Sequence, residues 1–306
     1  MAATTTVEVP HLGGITAGYH IANNVIDPNK PTVVLINSAC TTSSLFTAQF
    51  QSMSLMETTN LIAIEPLGHG ATVCASEHYT CWDSAIMTLQ TLDVLGIKRV
   101  FALGTSQGGW IAARMALLAP QRLQGIVLLG TSMDSESSLR SDDVSWELKA
   151  NLIPLYESWC SMTATPHFVP DEHWRRMVVN VGFSGSVPDD FSSFWHKTLK
   201  TVYSGDEGRK KLRIAILCLL ERDSILLRLR DIRCPVYWLQ GSSDPVFGRV
   251  MPEQHIQLFT SAPETKLTFI DGGGHYLNVT HPEEVNFALL NMVEKYAWAS
   301  SRVITQ

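Results

Sequence analysis

Residues 100–109 read VFALGTSQGG, in which Ser106 stands between glycines directly after an apolar run. The pattern Gly-x-Ser-x-Gly is common by chance, so its surroundings decide its meaning. Residues 107–118 are small and apolar almost all round, which favours a helix buried against a sheet. A serine on such a strand-to-helix turn projects above the sheet, and the glycines avoid side-chain clashes. Ser106 is therefore the candidate nucleophile.

Short runs rich in Val, Ile and Leu alternate with helical patterns along most of the chain. This alternation is typical of a mostly parallel sheet flanked by helices. The predicted strands are residues 4–9, 15–22, 33–37, 61–65, 100–103, 126–129, 236–239 and 266–270. Gly13-Gly14 predicts a hairpin turn, and a Thr-x-x-Glu capping box at 280–283 predicts the start of a C-terminal helix. We expect an α/β protein with eight strands.

One long segment, residues 135–222, interrupts this alternation. It contains helix-like stretches and many aromatic residues but no convincing buried strand, and a structureless loop of this length is improbable. We predict a helical cap inserted after the sixth strand, with residues 1–134 and 223–306 forming the core. Trp159 and Trp195 of the insertion, and Trp110 beside Ser106, are candidate pocket residues, although such aromatic side chains can instead pack the cap on the core.

A serine nucleophile requires a histidine that takes up its proton. Among the 10 histidines, His275 follows three glycines directly after the last predicted strand, where the loop can carry the imidazole over the sheet edge. His281 lies within the predicted helix cap, where a structural role is expected, and His69 lies on a loop after another strand. His275 is the predicted base.

The histidine in turn requires a carboxylate that orients it. Asp244 directly follows the predicted strand 236–239, and Asp134 follows the strand 126–129 closely enough to remain an alternative. An Asp-Pro pair such as Asp244-Pro245 is also an ordinary turn sequence. With Asp244 the chain order is nucleophile, acid, base, which differs from the chymotrypsin-like and subtilisin-like orders.

Acyl transfer also needs hydrogen-bond donors for the developing oxyanion. The backbone amide of Gln107, the residue after the nucleophile, is one candidate donor. The second is expected on the loop after strand 33–37, where Ala39 is the best-placed amide. The neighbouring residues Asn37, Ser38 and Cys40 are then candidate pocket residues.

Composition excludes several classes of partner and cofactor. The chain has 306 residues and a net charge of −6, so it lacks the positive charge that nucleic acid or an anionic membrane surface would require. The 6 cysteines are scattered without metal-ligand spacing, and no apolar run could span a bilayer. We expect no metal, no cofactor and a cytoplasmic location, with a small-molecule substrate as partner and a homodimer as one possible assembly.

These motifs together resemble the α/β-hydrolase fold family, in its capped, single-domain form. The matching segments are 64–70 (IEPLGHG), 92–97 (LDVLGI), 104–109 (GTSQGG), 234–236 (CPV) with 241–245 (GSSDP), and 272–275 (GGGH). Two positions depart from the family pattern. Asn37-Ser38 stands where His-Gly is usual on the oxyanion loop, and Glu65 replaces an aspartate.

The resemblance implies a serine hydrolase with the triad Ser106, Asp244 and His275. The expected reaction is cleavage of a carboxylic ester, lactone or thioester (EC 3.1.1 type) of a moderately apolar small molecule, such as a secondary metabolite. Two alternatives stay open: an acyltransferase that uses the same acyl-enzyme, and a non-catalytic ligand-binding protein, since fold alone never determines function.

Overall fold

The computed structural model describes residues 4–135, 148–184 and 188–297. Residues 136–147 and 185–187 of the predicted insertion lie outside the described residues.

The described residues contain one sheet of nine strands. In chain order the strands are β1 (Thr5–Val9), β2 (Ile15–Ile21), β3 (Thr32–Ile36), β4 (Asn60–Ile64), β5 (Val73–Cys74), β6 (Val100–Thr105), β7 (Leu123–Leu129), β8 (Val236–Gly241) and β9 (Thr265–Ile270). All eight predicted strands are confirmed. The additional strand, β5, is too short to produce a recognisable sequence pattern, and it pairs only with the start of β2.

The sheet order is β1-β2-β4-β3-β6-β7-β8-β9, with β5 beside β2. All pairs from β4 to β9 are parallel, whereas β2 is antiparallel to its three neighbours. Every residue of β3, β4 and β6 is buried, as expected for strands covered on both faces. Gly13 and Gly14 connect β1 to β2 with φ values of 82° and 125°, which confirms the predicted turn.

Eleven α-helices accompany the sheet in the described part of the chain. They are α1 (Thr47–Gln51), α2 (Met53–Thr58), α3 (Cys81–Val94), α4 (Gln107–Leu118), α5 (Leu148–Ser158), α6 (Glu172–Phe183), α7 (Asp189–Tyr203), α8 (Gly205–Leu220), α9 (Val250–Ile256), α10 (Leu277–Thr280) and α11 (Pro282–Tyr296). Helix α4 is buried from Gln107 to Ala116, as its uniformly small and apolar sequence predicts.

The predicted capping box at residues 280–283 is wrong. Thr280 belongs to the short helix α10, and α11 begins after His281, whose side chain makes no capping hydrogen bond. Pro282 at the first position of α11 supplies the helical φ and lacks the N–H that would need a partner. The same chemistry occurs at α3, where Thr80 and Asp83 cap each other reciprocally.

Helices α5–α8 occupy the chain between β7 and β8, in the segment predicted as a cap. Their aromatic side chains pack on one another: Trp174 is fully buried and makes edge contacts with Trp159 and Tyr203, each with ring centroids 5.7 Å apart. Tyr203 also donates a hydrogen bond of 3.1 Å to the carbonyl oxygen of Gly68 on the loop after β4.

An ion pair anchors the chain after α8 to the sheet-covering helices. Arg114 of α4 is 1% exposed, and its guanidinium pairs with the half-exposed carboxylate of Asp223. The same guanidinium donates to the Asp223 carbonyl oxygen at 2.9 Å, and Trp82 Nε1 donates to the carboxylate at 2.9 Å. A buried guanidinium is costly without such a partner.

We therefore expect Asp223→Ala to lower the free energy of unfolding by about 2 kcal/mol, because it leaves the buried Arg114 uncompensated. Denaturant unfolding measures the change. The control is Asp231→Ala, whose partner Arg228 is 54% exposed, and we expect it to cost less than about 0.5 kcal/mol. Equal losses in the two variants would contradict the anchoring role of Asp223.

Candidate active site

Ser106 lies on a sharp turn between β6 and α4, with φ 53° and ψ −115°. A non-glycine residue adopts such a conformation only where its surroundings hold it there. The surroundings are close backbone contacts that only glycine allows. A Cβ on Gly104 would lie 2.1 Å from the carbonyl oxygen of Gly108, and a Cβ on Gly108 would lie 2.0 Å from that of Ile36. Helix α4 thus begins directly against β3.

His275 and Asp244 form a hydrogen-bonded pair. Nδ1 of His275 lies 3.1 Å from Oδ1 and 3.0 Å from Oδ2 of Asp244, and both side chains are buried. Asp244 also accepts hydrogen bonds from the amides of Val246 (2.8 Å) and Phe247 (3.3 Å) and from Nε2 of Gln240 (2.9 Å). The carboxylate is thereby held in one orientation, and it directs Nδ1 of the imidazole inward.

The end of β7 passes directly beneath this pair. Gly130 has φ +47°, and a Cβ there would lie 2.7 Å from the His275 carbonyl oxygen and 3.1 Å from Asp244 Oδ2. Asp134, the alternative acid, lies further along this loop. Its carboxylate accepts a hydrogen bond from the Ser135 amide at 2.8 Å, and its carbonyl oxygen accepts one from Arg222 Nε at 2.7 Å. The structure therefore brings Asp244, and not Asp134, to His275.

The loop after β3 carries the expected second oxyanion donor. Ala39 lies on it, followed by Cys40, whose φ of 59° turns the backbone sharply. His69 holds this turn: its Nε2 accepts a hydrogen bond of 2.8 Å from the Cys40 amide, and its Nδ1 lies 2.8 Å from the Leu67 carbonyl oxygen. Nε2 must therefore be unprotonated and Nδ1 must carry the proton. His69 is a loop-positioning residue, a role that its sequence context alone did not reveal.

Glu65 joins the same loop to the loop after β4. Its fully buried carboxylate accepts hydrogen bonds from the Ser43 amide at 2.9 Å and from the Ala71 amide at 2.7 Å. Gly70 is required beside it, since a Cβ there would lie 2.1 Å from Glu65 Cδ. The glutamate that departs from the family pattern thus serves to bind two loops together.

One cavity brings the candidate residues together. It encloses about 590 Å³, including the part open to solvent, and Ser106, His275, Ala39 and Tyr276 line it. Helices α5, α6 and α8 supply an apolar wall made of Leu152, Trp174, Met177, Val178, Ile216 and Leu219. None of the described lining residues is Asp, Glu, Lys or Arg.

Three of the six predicted pocket residues line this cavity: Ser38, Cys40 and Trp110. The placement of the other three was wrong. Asn37 lies behind the loop, where its Nδ2 donates to the carbonyl oxygens of Ser38 at 3.1 Å and Thr41 at 3.0 Å. Trp159 and Trp195 are buried against other aromatic rings of the helical segment.

Burial also sets the charge state of two groups at this site. The pKa of the Cys40 thiol is raised to about 12, so the thiol stays protonated at neutral pH. Burial lowers the pKa of His69 to about 4, which keeps the imidazole neutral and able to accept the Cys40 amide. Within the described ranges no cluster of three or more His, Cys, Asp or Glu side chains could hold a metal ion. No described helix is both long and apolar enough to cross a bilayer.

The lowered pKa of His69 predicts an acid-sensitive contribution to stability. Its pKa is about 4 in the folded protein and about 6.5 in an unfolded chain. Between these values the unfolded state binds more protons. The contribution is therefore complete above about pH 6.5, and about 3 kcal/mol is lost as the pH falls to about 4.

Denaturant unfolding of the wild type and His69→Gln across this pH range measures the contribution, because the variant lacks the titrating group. His167→Gln, at an exposed histidine, is the control and should keep the wild-type slope. A wild-type slope in His69→Gln would show that His69 is not the group responsible.

A family model described as the alpha/beta hydrolase fold matches residues 31–282. Two relatives align over most of the chain. One is the dihydrolipoyllysine-residue acetyltransferase component of the acetoin cleaving system of Pseudomonas putida (24% identical, 81% of this chain); the chain spans only 60% of its length. The other is the pimeloyl-[acyl-carrier protein] methyl ester esterase of Nitrosomonas europaea, with 22% identity over 84% of this chain and 93% of the relative.

A thermophilic esterase from Thermogutta terrifontis has a similar structure. Its TM-score is 0.76 at 17% sequence identity, and the match covers 95% of this chain and 99% of the esterase. This likeness concerns the fold. The sheet order, the turn at Ser106 and the family match over residues 31–282 lead to one conclusion: the chain belongs to the alpha/beta hydrolase fold family.

Proposed function

We propose that the protein is a serine hydrolase that cleaves a carboxylic ester, lactone or thioester through an acyl-enzyme. The observation that carries this proposal is the buried hydrogen bond between His275 and Asp244 at the cavity that Ser106 also lines. The strained backbone at Ser106 supports it, since a strained strand-to-helix turn is the way this fold exposes a nucleophile.

In the proposed reaction, Ser106 Oγ attacks the carbonyl carbon of the substrate and His275 Nε2 takes the proton. Asp244 holds the imidazole in the tautomer with a proton on Nδ1 and stabilises the imidazolium that forms. The leaving group receives that proton from His275. A water molecule then attacks the acyl-enzyme, again with His275 as base, and releases the carboxylic acid and free Ser106.

The developing negative charge requires donors that are already in place. The amides of Gln107 and Ala39 are the proposed donors. Gln107 is the first residue of α4, so its N–H belongs to the orphan amides of a helix N-terminus, which favours an anion there. The hydrogen bond between His69 and the Cys40 amide supports the role of Ala39, because it fixes the adjacent loop.

The wall of the cavity indicates the class of substrate. Its apolar side chains come mainly from α5, α6 and α8, and no ionisable carboxylate or basic side chain balances a charge among the described lining residues. An uncharged, moderately apolar acyl compound therefore fits best, because burying an unpaired charge is costly. We propose that these helices act as the cap of the active site.

A fluorophosphonate probe tests the proposed function most simply. We expect it to label the wild type on Ser106, to fail with Ser106→Ala, and to label the control Ser158→Ala, which changes an exposed serine of α5. Mass spectrometry of the labelled peptide identifies the residue, and circular dichroism checks the fold. Absence of labelling in a folded wild type that still binds esters would favour a non-catalytic binding protein.

The two candidate acids are separated by a matched pair of variants. Asp244→Asn should lower kcat by about 10⁴-fold, because the amide favours the wrong imidazole tautomer. Asp134→Asn should leave kcat unchanged, since the Asp134 side chain bonds only to its own loop. Steady-state hydrolysis of p-nitrophenyl butyrate measures both. The reverse result would assign the acid role to Asp134.

A further inference from the structure

Two buried hydroxyl groups meet at the cavity. Ser38 Oγ, on the loop after β3, lies 3.1 Å from Tyr276 Oη, and Tyr276 directly follows His275. Both residues line the cavity, with exposed fractions of 1% and 4%. The contact joins the loop of the proposed oxyanion donor Ala39 to the loop of the proposed base.

The hydroxyl protons do not balance within the protein. Two hydroxyls carry two protons, and their shared hydrogen bond uses one of them. Within the described residues neither hydroxyl has another hydrogen-bond partner. Burial raises the pKa of Tyr276, so its proton is retained at neutral pH. Whichever hydroxyl donates to the other, one O–H remains for a bound ligand.

This remaining donor is held in a rigid position. The Tyr276 amide donates to the Gly182 carbonyl oxygen at 2.9 Å, and the ring packs edge-on against Phe183 with centroids 5.0 Å apart. A Cβ on Gly182 would lie 2.1 Å from the Tyr276 ring, so α6 and the His275 loop are in direct contact. A donor fixed before the reaction needs no reorganisation when charge develops.

We propose that the Ser38–Tyr276 hydroxyl pair donates a third hydrogen bond to the developing oxyanion, beside the amides of Ala39 and Gln107. This inference rests on the proposed function. It also gives a chemical consequence to the departure at Asn37-Ser38 from the usual His-Gly: the serine hydroxyl, which glycine lacks, completes the pair. The terminal member of the pair touches the reacting oxygen, whereas the other member positions it.

The pair makes a specific prediction for single and double variants. If Tyr276 is the terminal donor, Tyr276→Phe lowers kcat by about 10²-fold, and Ser38→Ala has a smaller effect; the opposite ranking identifies Ser38 as the terminal donor. In either case the double variant is no worse than the more damaging single variant, because one donor is lost only once. KM should remain unchanged, since the interaction strengthens in the transition state.

Two assays with defined probes measure these effects: the rate of Ser106 phosphonylation by the fluorophosphonate, and kcat and KM for p-nitrophenyl butyrate. Tyr79→Phe is the matched control, because it removes another buried tyrosine hydroxyl that lies outside this cavity lining. It should leave both rates unchanged. Ser38→Thr retains the hydroxyl and should largely restore the rate lost in Ser38→Ala.

The outcomes separate this inference from the proposed function. Labelling of Ser106 at the wild-type rate in Tyr276→Phe and Ser38→Ala would overturn the inference and leave the proposed function intact. A raised KM with unchanged kcat, or losses that add in the double variant, would also overturn it. No labelling of wild-type Ser106 would overturn the proposed function and the inference together. Thermal unfolding verifies that each variant is folded.

Discussion

The close approach of the first turn of α4 to β3 is the constraint on which the site depends. The absence of a side chain at Gly104 and Gly108 allows β6, Ser106 and α4 to form so sharp a turn. Any larger residue would meet backbone atoms, which cannot move aside as a flexible side chain can. Because α4 begins against β3, the serine and the loop after β3 lie at one edge of the sheet. The positive φ of Ser106 is the local cost of that arrangement.

The parallel strand order then gathers the other groups at the same edge. Strands β3, β6, β7, β8 and β9 run in one direction, so the loops that follow them meet at their carboxyl ends. Asp244 and His275 come from the last two of these loops, and Gly130 at the end of β7 leaves room for both. Neutral His69 and buried Glu65 fix the loop after β3. The site is thus supported by buried polar groups whose hydrogen bonds join separate loops.

Much of the fold could be predicted from the sequence, because buried strands have continuous apolar runs and α4 has an unbroken small and apolar surface. Strand β5 could not, since two residues carry no periodicity. The start of α11 was mispredicted because a Thr-x-x-Glu pattern does not determine which residue leaves the helix first. Residue types and loop positions indicated Ser106, Asp244 and His275 as candidates. The pocket wall and the pairing of Ser38 with Tyr276, 238 positions apart, depend on tertiary packing that local sequence does not encode.

The central claim is that Ser106, His275 and Asp244 act as one hydrogen-bonded unit, with the oxyanion facing the loop after β3. A crystal structure of the phosphonylated protein tests it most directly, because the tetrahedral phosphorus resembles the acylation intermediate. We predict phosphorus bonded to Ser106 Oγ, a phosphoryl oxygen within hydrogen-bond distance of the Ala39 and Gln107 amides, and an intact contact between His275 and Asp244. Phosphorus on another residue, or a phosphoryl oxygen directed away from both amides, would contradict the account.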